Sequence, residues 1–152
     1  MFSGERRSMT RAVSRKPVDR RLYHHPPSAD DIEQIGRQVL AELPELFRRY
    51  VRDVVIAVED FPDDATLRDL GLESPFDLLG LYHGVPVGRG SSLALPREDV
   101  DIIHLYRRPL LDYWCETGEP LAAIVRNTLI HEIGHHFGFS DDDMDEIEFG
   151  QD

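Results

Sequence analysis

HEIGHHFGFSD, residues His131 to Asp141, carries two histidines four positions apart. On a helix that spacing puts both imidazoles on one face, with Cβ atoms about 5–6 Å apart, so both can reach one metal ion. Zinc is the metal expected. Glu132 follows the first histidine, where its carboxylate can reach a water at the metal without itself being a ligand, and it is the candidate general base. Gly138 can take the positive φ that ends a helix and turns the chain back, returning Asp141 toward the metal. His131, His135 and Asp141 as ligands, with a remaining position for water, describe a catalytic rather than a structural zinc site.

Working outward, Pro120 opens the helix that ends in this motif, and Leu121, Ile124, Val125, Leu129 and Ile130 make it apolar. A helix buried to that extent must give its ionisable side chains partners or a metal. Upstream, Asp101 to Tyr106 (DIIHLY) reads as a strand closed by Arg107-Arg108-Pro109, followed by a helix over Leu110 to Glu116 that stops near Gly118. Leu78 to Val87 reads as a strand losing its ladder at Gly84 and Pro86. Gly88 to Pro96 reads as a loop whose glycines lack the context of a phosphate loop. Ala65 to Leu70 suits a helical turn ending at Gly71, and Val54 to Val58 (VVIAV) suits a central strand buried on both faces. Ser28 is a good helix cap, and Ile32, Ile35, Val39, Leu43, Leu46 and Tyr50 form one apolar stripe interrupted by Pro44. After Asp141 a short terminal helix is expected, with Met144 and Ile147 inward and acids on a solvated face.

The chain has 152 residues, 41% hydrophobic, which suits one domain with one core. Met1 to Pro27 carries seven Arg or Lys against two acids, so a net charge of −12 leaves −17 on the remainder. Residues 1–27 are expected to form a disordered basic tail, and 28–152 the folded domain. The acidic surface disfavours nucleic acid and anionic membranes as partners. Cys115 is the single cysteine and reads as a packed thiol, with no internal disulfide possible. No apolar run approaches a membrane span or a signal-peptide core, so a cytoplasmic monomer is expected.

HEIGHHFGFSD resembles the zincin signature in the extended H-E-x-x-H-x-x-G-x-x-H/D form of metzincin-type proteases. The order of leading helix, VVIAVED, LLGLYHGVP, IHLYRRPL and metal helix is similar to the small bacterial minimal-zincin family of zinc metallopeptidases, over roughly Ser28 to Ile147. That resemblance implies an α+β, zincin-like fold, with a small mixed β-sheet packed against helices that include the metal-binding helix. It also implies hydrolysis of a peptide or protein substrate, with zinc held by His131, His135 and Asp141 and with Glu132 catalytic. Met144 follows Asp141 by only three residues, a departure from larger metzincins, and the resemblance implies a small protein without their large C-terminal subdomain.

Tyr82, His83, His104, Tyr106 and His136 are candidate donors to an oxyanion. His136 lies about 100° round the helix from His135 and is not expected to be a ligand. The sequence also resembles, more distantly, the bacterial rRNA-maturation metal-dependent RNases, whose motif lacks the glutamate. The acidic charge disfavours that reading too. A non-catalytic zinc-binding interaction module is the third reading, against which the retained Glu132 stands. Two histidines and a carboxylate also serve non-haem iron, but the H-E-x-x-H spacing favours zinc.

Overall fold

The computed structural model of the protein describes residues 25–84 and 100–149. Helix α1 (Ala29–Glu42) starts where Ser28 and Asp31 satisfy each other's backbone. The Ser28 hydroxyl accepts the Asp31 N–H at 3.1 Å, and the Asp31 carboxylate accepts the Ser28 N–H at 2.8 Å. Leu43 is extended at the end of α1, and Pro44 then opens the short α2 (Glu45–Arg48). The break changes the phase of the apolar stripe. Leu46 and Tyr50, expected to continue it, are 44% and 42% exposed, while Phe47 and Val51 are buried in their place. An extended residue between helices abolishes the 3.6-residue count on which the extrapolation rested.

Strands β1 (Val55–Glu59), β2 (Gly80–His83) and β3 (Ile102–Tyr106) form a mixed sheet in the order β1-β3-β2. Val55 pairs in parallel with Ile102, and Gly80 pairs antiparallel with Leu105. The centre is therefore β3, not the VVIAV segment. A β-branched run favours a strand but does not set its place in the sheet. At the edge, Val55 is 42% exposed and only Ile56 is fully buried, beneath α1. A Cβ at Gly36 of α1 would come within 2.8 Å of Ile56 Cδ1, a measure of how closely helix and strand approach. Helix α3 (Asp64–Leu70) and a 3₁₀ turn (Pro75–Asp77) connect β1 to β2. The rest of the strand expected to reach Val87, the Gly88 to Pro96 loop and nearly all of the basic tail lie outside the described residues.

Helix α4 (Arg107–Thr117) follows β3 without a linker, three residues before the expected start. Pro109 sits in its first turn, where no intrahelical donor is needed. Cys115, expected to be packed, is exposed on this helix. Helix α5 (Leu121–Phe137) is the axis of the core, with Val125, Leu129, Ile130 and Ile133 all at 0% exposure. Helix α6 (Asp141–Phe149) turns Met144 and Ile147 inward, as its sequence pattern requires. No helix among the described residues is long and apolar enough to cross a membrane.

Candidate metal centre and adjoining cleft

The last two turns of α5 carry His131 and His135, whose ring centroids lie 6.1 Å apart with planes inclined at 54°. His131 is half-buried and His135 exposed. Both stand near the negative end of the helix dipole, which favours cations. Glu132 is half-buried between α5 and β2, and its Oε1 accepts the backbone N–H of Tyr82 at 3.1 Å. β2 is an edge strand, so this amide can turn toward α5 while the strand stays paired with β3. Gly80 permits the approach: a Cβ there would fall 2.8 Å from Thr128 Cγ2 and 2.9 Å from the His104 carbonyl. Burial pushes the Glu132 carboxyl up from its ordinary value, opposed by the Tyr82 N–H and then by His135 and His131.

Gly138 ends α5 at φ 80°, in the left-handed region, with its N–H and that of Phe139 closing onto His135 and Gly134 carbonyls. Ser140 then caps α6 through a reciprocal pair with Asp143, each bond 3.1 Å. Asp141, the first residue of α6, is exposed. The structure thus brings His131, Glu132 and His135 together on α5 and leaves Asp141 on the next element. Among the described residues no three His, Cys, Asp or Glu side chains are grouped as a metal-holding cluster. Two imidazoles on one helix face, followed at a glycine turn by a carboxylate, nonetheless form a donor set chemically suited to zinc.

Beneath this end of α5 lies Met144, fully buried, in the space that a Gly134 side chain would fill. Sequence spacing alone did not reveal this packing. Nor did it reveal the Tyr82 amide that anchors Glu132, since a backbone donor leaves no trace in residue type.

The five candidate oxyanion donors separate on their contacts. The Tyr82 hydroxyl donates to Asp101 Oδ2 at 2.7 Å, and its ring stacks on His136 at 3.9 Å between centroids. Burial and Asp101 both raise the Tyr82 phenol, so it holds its proton for that bond. His136 Nε2 is buried without a partner among the described residues. His104 Nδ1 is engaged with Glu59 Oε1 at 2.6 Å, and His83 is exposed at the end of β2. Tyr106 is 3% exposed, and its ring lies nearly parallel to that of His104 with centroids 6.2 Å apart. Burial, with Glu59, Asp63 and Glu132 nearby, pushes its phenol up to about 12.

A cleft of about 400 Å³ opens beside His131 and Glu132, between α5 and the segment leading into β2. The motif is thus placed at an accessible surface large enough to receive a side chain.

No curated protein sequence matches the chain. The family profile described as Zincin-like metallopeptidase matches residues 51–151, from the end of the leading helices through the H-E-x-x-H motif and nearly all that follows. With a small mixed sheet, a buried helix ending in His131, Glu132 and His135, and two thirds of its length matched, the chain belongs to the Zincin-like metallopeptidase family.

Proposed function

We propose that the protein is a zinc-dependent endopeptidase in which Glu132 is the general base. The observation that carries this reading is the half-buried Glu132 carboxylate, fixed by the Tyr82 N–H beside paired histidines and open to a cleft. His131, His135 and Asp141 would hold the zinc, which when bound acidifies a water and polarises a peptide carbonyl.

The protein's own groups supply the rest. Oε1 of Glu132 is engaged by the Tyr82 amide, which leaves Oε2 to take the proton and then deliver it to the departing amide nitrogen. A carboxyl raised by burial is a stronger base than an exposed one, which favours that transfer. Tyr82 is a positioning residue, holding Glu132 through its backbone and packing His136 through its ring.

Glu132→Gln tests the assignment. Hydrolysis of a broad peptide library should fall by about a hundredfold or more while bound zinc is unchanged. Full activity in that variant would overturn the role of Glu132. Stoichiometric zinc with no turnover by the unaltered protein would instead favour a non-catalytic zinc module.

A further inference from the structure

The cleft beside Glu132 has an uneven lining. Leu78 and Leu79 contribute one apolar wall and Ile124 of α5, only 2% exposed, lies deep in the other. Toward solvent stand the exposed Asp77, the half-buried Glu119 and the Tyr113 ring, which is 40% exposed. Neither carboxylate has a cationic or hydrogen-bond partner among the described residues, and no Lys or Arg lines the cleft. Asn127, Thr128 and His131 complete the lining. A cleft that sets leucine and isoleucine side chains beside two carboxylates and an aromatic ring complements a long aliphatic stem that carries a cation at its tip. A substrate carboxylate in the same place would face Asp77, Glu119 and Glu132 together, and an aliphatic side chain would gain nothing from the acids at the lip.

We infer that this cleft is a subsite for a lysine or arginine side chain of the substrate, adjacent to the bond that Glu132 helps to cleave. The position of the bond rests on the endopeptidase reading; the chemistry of the subsite rests on the cleft itself. Asp77 and Glu119 are the specificity-determining residues. They attract the cation and Leu78 and Leu79 cover its methylenes, while Tyr113 offers a ring face to guanidinium or ammonium.

The test uses the zinc-loaded full chain and fluorescent peptides identical except for Arg, Leu or Glu at one central position. Anisotropy reads binding and mass spectrometry reads the cleavage position. The Arg peptide should bind about fivefold tighter than the Leu peptide, an effect of the size expected from two partly exposed ion pairs, and the Glu peptide should bind weakest. Cleavage should fall next to the Arg. In Asp77→Asn/Glu119→Gln, with an unchanged melting curve, the Arg-to-Leu binding ratio should collapse toward one, as it should for the unaltered protein at high salt. No Arg preference, or one that survives the double substitution, overturns the subsite. Arg-selective binding without cleavage of any peptide keeps the subsite and defeats the endopeptidase reading. Cleavage without selectivity does the reverse.

Discussion

Gly134 stands one residue before His135, and the atoms of Met144 occupy the place of its missing side chain. Two opposing effects make it an informative position. In an exposed helix, replacing glycine with alanine gains about 1 kcal/mol from backbone entropy alone. Here a Cβ would overlap the Met144 Sδ and lie 2.8 Å from its Cγ, both on a side chain with 0% exposure. Overpacking a closed core costs about 1–3 kcal/mol, so the clash outweighs the entropy. Gly134→Ala should therefore lower the denaturant midpoint, and a raised midpoint would show that Met144 can move aside. Gly138 answers to a different constraint: its φ of 80° disfavours any side chain, although nothing lies within 4 Å of where a Cβ would stand.

The helices owe their boundaries to single residues that are visible in the sequence. Ser28 caps α1, Asp63 caps α3 through the Thr66 N–H at 2.7 Å, and Gly71, Gly118 and Gly138 end their helices in the left-handed region. Asp31 and Asp63 both lie below their ordinary value of 3.8, Asp31 through its bonds to Ser28 and Asp63 through its bonds to Thr66. A carboxyl depressed in the folded state contributes stability that is present above its unfolded value and is lost as pH falls through the folded one. Helicity followed by circular dichroism should therefore weaken below about pH 4, and Asp31→Asn, which removes the titrating carboxyl that accepts the Ser28 N–H, should remove the part due to Asp31. Unchanged acid behaviour in that variant would count against the capping box. Interruptions were legible because glycine, proline and cap residues act locally. Relations between elements were less so: the sequence pattern of VVIAV does not encode that DIIHLY takes the sheet centre, and the stripe past Pro44 could not be phased without the extended Leu43.

For the molecule as a whole, the α+β architecture follows from one long buried helix, α5, with α1 and α4 packed against it and a small sheet alongside. That His131, Glu132 and His135 lie together on one helix could be read from spacing alone, because a helix fixes their relation. Asp141 depends on how α6 leaves the Gly138 turn, which is tertiary information. Zinc binding through both α5 and α6 would tie two elements together, and any ligand favouring the folded state raises its stability. At about a hundred times Kd the gain is about 2.7 kcal/mol, or roughly 5–10 °C in Tm for a chain of this size. The melting temperature should rise on adding zinc, fall back with chelator, and be unresponsive in His135→Ala. A full zinc response in His135→Ala would place the ion elsewhere.

The same close contact of Met144 with α5 makes its sulfur a chemical timekeeper. A fully buried thioether meets peroxide only while α5 and α6 are parted, so its conversion to sulfoxide counts those openings. Each conversion also adds an oxygen where Gly134 leaves no spare room, so an oxidised molecule closes poorly. Oxidative damage at that atom would thus act on the seam between the helix bearing the two histidines and the helix bearing Asp141, without altering the chemistry of those three side chains.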